Sequence, residues 1–531
     1  MTIKEFDYLI IGGGSAGCVL AGRLSEDERT RVALFEAGGQ GDSWVVKTPA
    51  AAVAMLPTSI NNYAFETVPQ KGLNGRRGYQ PRGKCLGGSS AINAMVYIRG
   101  HKSDYDHWAA LGNMGWSYDD LLPYFRKSEN NAEFADEFHG TDGPLHVSAL
   151  QTHNPFHHIY LNAAKEAGFA INSDFNGASQ EGIGIYQVTQ KNGERWTAAR
   201  GYLHPHMKTR ANLHVHTGVH VEKIVFEDRR AVGIVYTQAG VRHEVRARKE
   251  VILCAGAINS PQLLMLSGVG PAEHLKAHGI SVVHDLPGVG QNLQDHPDFI
   301  FGYEAKSLDL IGVSLGSGAR IAKEIWKYSQ TRKGMISTNF AEGGGFLKTD
   351  PTLIAPDVQL HFVVALVDDH ARKFRTAHGY SCHVCVLRPH SRGQVTLASA
   401  DSRDAPLIDP NFLGDERDLD TLVKGFKLTR QLMDAPSFVK VRHKDVFTAG
   451  VHSEADIRHL IRQRADTVYH PVGTCKMGAD AMAVVDAQLK VHGLTGLRVV
   501  DGAIMPTLIG GNTNAPIIAI AEKAVDMIRS S

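Results

Sequence analysis

Long hydrophobic runs are missing from this chain. No window of about 18 uninterrupted apolar residues occurs among its 531, so a membrane-crossing helix is not expected. Cysteine is scarce, with six residues at 18, 85, 254, 382, 385 and 475. Their scatter argues against a disulfide framework and suits a reducing compartment. Cys382 and Cys385 form a C-x-x-C, but inside the alternating run YSCHVCVL. That run reads as a strand, where residues three apart face opposite ways, so neither a redox nor a metal role is expected. A net charge of +1 gives no reason to expect a nucleic-acid partner. A signal-peptide pattern is also lacking: MTIKEFDYLIIGGG leads from charged residues through a short apolar run straight into glycines. These absences predict a cytoplasmic protein, with peripheral attachment at the inner face of a membrane left open.

Glycine, by contrast, is abundant at 54 residues, roughly a tenth of the chain against a usual share of about 7%. It is clustered in motifs, as tight turns and close ligand approach require. The first motif lies in FDYLIIGGGSAGCVLAGRLSEDERTRVALFEAGG. An apolar strand precedes Gly12, Gly14 and Gly17, small and apolar residues continue at helical spacing from Ser15 and Ala16, and a second strand ends at Glu36 and Ala37. In a G-x-G-x-x-G of this kind the first glycine permits the turn, the second lets backbone approach a pyrophosphate, and the third lets helix and strand pack. Glu36 stands where an acidic residue accepts hydrogen bonds from ribose hydroxyls. These residues alone do not separate NAD from FAD.

Two further stretches choose between them. PRGKCLGGSSAINAMVYIRGHKSDYDHW (81–108) and GAINSPQLLMLSGVG (256–270) resemble the two signature patterns of the glucose–methanol–choline (GMC) oxidoreductases. With the N-terminal fingerprint and the C-terminal YHPVGTCKMG and VVDGAIMPTLIGGNTNAPIIAIAEKA, the resemblance covers essentially the whole chain. It is strongest toward bacterial FAD-dependent aliphatic alcohol dehydrogenases, then choline and sorbose dehydrogenases. The resemblance implies an α/β fold, α+β overall, with a Rossmann-like FAD-binding domain and an inserted substrate domain on an antiparallel sheet.

It also implies FAD contacts at Arg82, Gly87, Gly88, Ser89, Asn93, Ala94, Met95, Val96, Val221, Ala255, Gly256, Tyr469, Asp501, Gly502, Asn512, Asn514, Ala515 and Pro516. Some members tie the flavin covalently through a histidine; Ile92 stands at that position, so noncovalent FAD is expected. Ser260 and Pro261 read as the start of a helix in the second signature. The expected borders are 1–151, 213–300 and 456–531 for the FAD-binding domain and 152–212 and 301–455 for the substrate domain. In the latter, DVQLHFVVALV, SCHVCVLRP and GQVTLAS read as strands of one antiparallel sheet.

The stretch VYHPVGTCKMG (468–478) by itself leaves His470 open as a base, a ligand or a cap. In the family a histidine at this H-P position stands over the flavin, and a second histidine or asparagine follows some forty-odd residues later. Asn514, 44 positions on, is taken as that partner. His470 would then remove the hydroxyl proton as hydride leaves the carbon, the task of a base of near-neutral pKa. Asn514 would orient the alcohol oxygen, and the helix it begins would turn its positive end to the flavin.

The expected reaction is oxidation of a primary alcohol to the aldehyde, with electrons passed to a quinone or another acceptor. An oxygen-using oxidase, a choline or sugar dehydrogenase, and a lyase with structural FAD are the alternatives. Among the 27 histidines, His153, His157 and His158 in HNPFHH have helix-like spacing but no acidic or cysteine partner. They read as a solvated face, and no metal is expected. Glu342 is open as a pocket residue or a salt-bridged structural carboxylate. Cys475 is expected to serve packing.

Overall fold

The computed structural model describes residues 4–531 except 313, 315, 316 and 374. The apolar strand Lys4–Ile11 pairs in parallel with Val32–Glu36 on one side and Val241–Leu253 on the other. Outside Val32–Glu36 lies Leu213–Thr217, also parallel. The central residues Leu9, Ile10, Val32, Ala33 and Leu34 are fully buried, as a sheet covered on both faces demands. Beyond Val241–Leu253 the sheet turns antiparallel through Arg230–Gln238 and Val219–Glu227. The connection between Arg230–Gln238 and Val241–Leu253 is only Ala239 and Gly240, both at positive φ (49° and 79°). That two-residue turn matches the right-handed twist of the strands it joins. The late strand Leu497–Val499 adds in parallel to the C-terminal end of Val241–Leu253.

Helix Ser15–Leu24 crosses over this sheet and packs against the C-terminal helix Asn514–Arg529. The third fingerprint glycine explains the close crossing. A Cβ on Gly17 would lie 1.9 Å from the Gly12 carbonyl oxygen, so any side chain there would push the helix off the strand.

A second seven-stranded sheet is antiparallel throughout. It runs Arg442–Asp445, Pro297–Ala305, Gly379–Val386, Val358–Val363, Ala341–Leu347 and Gly182–Ile185, with Asp466–Thr467 paired to the start of Pro297–Ala305. Helix Glu416–Met433 covers it, burying Leu419, Leu422, Val423 and Phe426. Cys382 and Cys385 are buried and unpaired within it. The cores of the two sheets are separate clusters, so the chain builds a nucleotide-type sheet and a covering antiparallel sheet with a seam between them.

Several expectations need correction here. GQVTLAS does not join the large antiparallel sheet; Gly393–Thr396 forms a three-stranded sheet with Gln291–Leu293 and Leu407–Asp409. Sheet membership ignores the borders placed at 300 and 455, since Pro297–Ala305 crosses the first and Asp466–Thr467 lies beyond the second. The helix of the second signature starts at Gly256, so Ser260 and Pro261 sit inside it. Pro261 cannot donate to the Ala257 carbonyl one turn back. The buried Thr474 hydroxyl does so instead, at 2.7 Å.

A Thr474→Val variant should therefore leave a buried carbonyl unpaired. A loss of about 1–3 kcal/mol, read as a lower urea midpoint with m unchanged, is the expected result.

Candidate active site

The seam between the sheets holds one large cavity of about 1190 Å³. Its walls come from both ends of the chain and the middle. The strand-to-helix turn contributes Gly12, Gly14, Ser15 and Ala16, and the second strand contributes Glu36 and Ala37. Arg82, Gly88, Ser89, Asn93, Ala94, Met95 and Val96 follow, then Val221, Ala255 and Gly256. The C-terminal segment adds Tyr469, His470, Asp501, Gly502, Asn512 and Asn514. Of the residues expected here, Gly17, Gly87, Ala515 and Pro516 do not line it. Gly17 serves helix packing, the Gly87 amide donates to the Gly13 carbonyl at 2.7 Å, and Ala515 and Pro516 are buried in the first turn of the C-terminal helix.

Two helix N-termini meet in the cavity. Ser15 Oγ, in the first turn of one, donates to Asn514 Oδ1, the first residue of the other, at 2.7 Å. The amides of a first helical turn have no intrahelical acceptor and carry partial positive charge, so this corner favours an anion such as a diphosphate. Gly12 (φ 100°) makes the turn that places it, and a Cβ there would meet the Cys254 carbonyl at 2.5 Å. At Glu36, Oε2 accepts from Gly13 N–H and Oε1 from Gly38 N–H, both at 2.8 Å, which leaves each oxygen a second lone pair for ribose. Asp501 is occupied by the protein: it accepts from Gly256 N–H (2.7 Å), Ser260 Oγ (2.6 Å) and Ala503 N–H (2.7 Å). It thereby ties the second signature helix to the C-terminal segment.

At Asn93 the loop is fixed by buried Arg195, whose Nη1 donates to the Asn93 carbonyl (2.6 Å) and side-chain oxygen (3.0 Å). Met95 takes a left-handed φ of 58° beside it, a conformation a non-glycine residue adopts only under constraint. A glycine turn with little room for side chains, a polar helix corner and an acidic ribose acceptor together fit an FAD.

His470 stands at the far end. Tyr469 (φ 74°) and Pro471 turn the chain sharply on either side, and Asp295 Oδ1 accepts the His470 backbone N–H at 2.8 Å. His470 is a buried residue, 8% exposed, and its ring meets two other side chains. His470 Nδ1 is 2.9 Å from His296 Nδ1, and His470 Nε2 is 3.2 Å from Asn512 Nδ2. Asn514, expected as the partner, lines the cavity but does not bond this ring; its Oδ1 accepts from Ser15 Oγ. The reason lies in the chain path. Asn512 precedes the helix in an extended turn that faces the cavity, whereas Asn514 is already helical.

The protons of this cluster can be placed. His296 Nε2 lies 3.0 and 3.1 Å from the carbonyl oxygens of Leu387 and Ile509. Carbonyls only accept, so this nitrogen carries a hydrogen. Burial holds His296 at about 3, so it is neutral and its Nδ1 is a lone pair. His470 Nδ1 must then be the donor across the 2.9 Å contact. Burial, with His296, His361 and Arg82 adding to it, holds His470 well below the usual histidine range. A neutral His470 with hydrogen on Nδ1 presents a bare Nε2. Asn512 agrees with this assignment, because its Oδ1 accepts from Gln359 Nε2 at 3.0 Å, turning the NH₂ toward His470. Such an arrangement can accept a proton at Nε2 from a hydroxyl and steady the oxygen with Asn512.

His296, Asp295, Gln359 and Asn512 as partner were not found by sequence reasoning. The only trace was the polar NLQDHP immediately before an apolar strand. His361 was missed too. It is 4% exposed, lines the cavity, and neither ring nitrogen has a partner among the described residues. Glu342 is a structural carboxylate, bonded to His157 Nε2 and Thr338 Oγ1, both at 2.6 Å. His157 is thus not simply a solvated residue. Asp136, His139 and Asp174 lie within ligand distance of one another, but outside the cavity. Against the effect of burial, Asp174 and Glu129 push His139 up to about 9 and engage both its nitrogens. A charged imidazole offers a metal no lone pair.

Two family profiles described as GMC oxidoreductase match residues 6–298 and 389–521. The alcohol dehydrogenase [acceptor] of Pseudomonas putida is 48% identical over 527 residues, covering 98% of this chain and 95% of its own. Human mitochondrial choline dehydrogenase is 44% identical, covering 99% and 90%. Among solved structures, pyridoxine 4-oxidase from Mesorbium loti superposes with a TM-score of 0.89 at 31% identity over 99% of both chains. Fold, glycine turn and histidine cluster agree with these likenesses: the chain belongs to the GMC oxidoreductase family and is an FAD-dependent oxidoreductase acting on CH–OH donors.

Proposed function

We propose that this protein oxidises a primary alcohol to the aldehyde, with His470 as the base, Asn512 as the donor that holds the alcohol oxygen, and a quinone or another acceptor taking the electrons. The bare, buried Nε2 of His470 carries this reading. Bound noncovalently, FAD supplies the hydride-accepting ring. The chain's part is to seat the hydroxyl between His470 Nε2 and the Asn512 NH₂, and to take its proton on Nε2. The resulting imidazolium keeps its Nδ1–H donated to His296, so the positive charge forms already hydrogen-bonded. Holding donor and acceptor in line in a water-poor cavity is where most of the acceleration arises. Noncovalent binding rests on Ile92, a buried hydrocarbon side chain on the cavity wall.

An uncharged alcohol suits the cavity better than choline. Val363, Ala365, Phe340 and Val468 make its antiparallel-sheet side largely apolar. Each lining carboxylate is already engaged: Glu36 and Asp501 as described, Glu66 with Arg372 (3.5 Å) and Asp404 with Ser399 Oγ (2.6 Å). Asp298, buried nearby, is paired with His383 at 2.6 Å. On this wall burial holds His361 neutral at about 3, and Lys373 and Arg375 pair with Asp369 (3.8 Å) and Asp368 (2.6 Å). A quaternary ammonium would therefore meet no free carboxylate there among the described residues. The similarity to an alcohol dehydrogenase [acceptor] points the same way.

Anaerobic mixing with straight-chain primary alcohols should bleach the flavin absorbance, and choline should do so at least tenfold less efficiently. The reading fails if no alcohol bleaches it. His470→Ala should keep FAD and slow the reductive step by about 10²–10⁴-fold, the range of a lost general base. Asn512→Ala should slow it more than Asn514→Ala; the reverse order would restore Asn514. His296→Phe removes the acceptor that fixes the His470 tautomer. It should slow flavin reduction, leave FAD affinity unchanged and shift the pH profile, whereas a packing role alone would leave the profile in place. Because burial lowers His470, its base form persists below pH 6.5, and the reductive rate should stay flat from pH 8 to about 6.5 and fall only in more acid solution. Acid precipitation should release yellow flavin into the supernatant, which a covalent link would prevent.

A further inference from the structure

Asp369, His370 and Ala371 take the left-handed backbone conformation in succession, at φ 48°, 56° and 63°. None is glycine, and in this conformation each Cβ crowds the following carbonyl oxygen. Single residues of this kind occur in turns, but a run of them persists only where surrounding contacts impose it. The run lies between the strands Val358–Val363 and Gly379–Val386 of the covering sheet, and its middle residue is the one that is held. His370 is 5% exposed, lines the cavity, and packs its ring against Tyr79 with centroids 5.5 Å apart. Both its nitrogens are engaged. Nε2 donates to Asp466 Oδ2 at 3.0 Å, since a carboxylate only accepts, and Nδ1 meets the Tyr469 hydroxyl at 2.6 Å. Asp466 and Tyr469 stand at the two ends of the turn that leads into His470. One imidazole from a distant segment therefore bridges that turn.

Tyr469 has need of a bridge. Its own φ is 74°, and for a bulky residue a positive φ is an outlier. The backbone of the turn is gripped from one side. Tyr469 N–H donates to Thr467 Oγ1 (2.6 Å), that hydroxyl donates to Asp295 Oδ2 (2.6 Å), and the Tyr469 carbonyl accepts from Arg82 Nη2 (2.8 Å). The side chain is gripped from the other: among the described residues the Tyr469 hydroxyl meets His370 alone. Burial holds this phenol well above its ordinary range, so it keeps its hydrogen. Relaxation of Tyr469 to a negative φ would swing its ring across the turn and re-aim the next residue, His470. The bond to His370 opposes that swing.

We propose that His370 is a positioning residue for the base. By bridging Asp466 and Tyr469 it keeps Tyr469 left-handed, and so holds His470 Nε2 where the proton of an alcohol reaches it. His370 acts through Tyr469 and takes no proton itself. The role rests on the reading of His470 as the base.

The test mixes the FAD-loaded full chain anaerobically with a saturating primary alcohol. His370→Ala and Tyr469→Phe should each slow flavin reduction by about 10–100-fold, the scale of a displacement of about 1 Å, with the alcohol's dissociation constant changed by less than about threefold. The double variant should be no slower than either single one, because both remove the same bond. Losses that multiply, or a loss of alcohol affinity with the rate unchanged, would overturn the proposal. Asp466→Asn, whose amide oxygen still accepts from Nε2, should recover most of the rate that Asp466→Ala loses; equal losses would count against the bridge. Tyr469→Phe is nearly isosteric and serves if His370→Ala does not fold. In its crystal structure residue 469 should leave the left-handed region and His470 Nδ1 should move out of hydrogen-bond reach of His296 Nδ1. Slowed reduction with both unchanged would sink the idea. Undiminished reduction in His470→Ala would count against the base reading, whereas the variant structure tests the bridge without reference to turnover.

Discussion

The contact between His296 Nδ1 and His470 Nδ1, at 2.9 Å, fixes where the hydrogens lie at the far end of the cavity. In water either imidazole could carry its hydrogen on either nitrogen. Here two backbone carbonyls, from Leu387 and Ile509, settle His296, and His296 settles His470. A wrong tautomer anywhere along this line would oppose two lone pairs or leave a buried carbonyl without a donor, a loss on the order of 1–3 kcal/mol. The result is a histidine whose tautomer is set, among the described residues, without a carboxylate behind its ring. That absence matters: among the described residues no anion on the ring stabilises the charged form, so burial keeps His470 neutral.

The same contact joins the two halves of the structure. His296 stands one residue before the strand Pro297–Ala305 of the antiparallel sheet, and its neighbour Asp295 holds the His470 backbone. Leu387 follows the strand Gly379–Val386, while Ile509 belongs to the segment leading into the C-terminal helix. His470 is therefore positioned by the covering sheet, whereas the two helix N-termini at Ser15 and Asn514 belong to the nucleotide side. Relative placement of donor, acceptor and base depends on how the sheets meet, and positioning to within a fraction of an ångström is what such chemistry requires.

Among the described residues, two on the cavity wall carry buried polar atoms without protein partners. His361 and the Asn339 side-chain oxygen are buried, unbonded and on the cavity wall. Such groups are costly inside a packed core, and these two stand where a ligand could complete their hydrogen bonding.

The sequence by itself determined the parts whose physics is local. A strand, a glycine turn, a helix and an acidic strand end are dictated by steric freedom at Gly12 and Gly17 and by short-range periodicity, and His470 in its H-P turn was legible by resemblance. Contacts between distant segments were not. Counting residues selected Asn514, 44 positions from His470, whereas in the structure its Oδ1 accepts from Ser15 and Asn512 is the asparagine beside His470. Pro261 read as a helix start because nothing local revealed that Thr474, more than 200 residues away, would supply the missing donor. His296 lay unremarked beside an apolar strand. Which of these groups meet, which nitrogen holds a proton, and which charges are buried only tertiary structure decided, because hydrogen bonds and desolvation depend on distance in space, and the chain brings its remotest segments to this one seam.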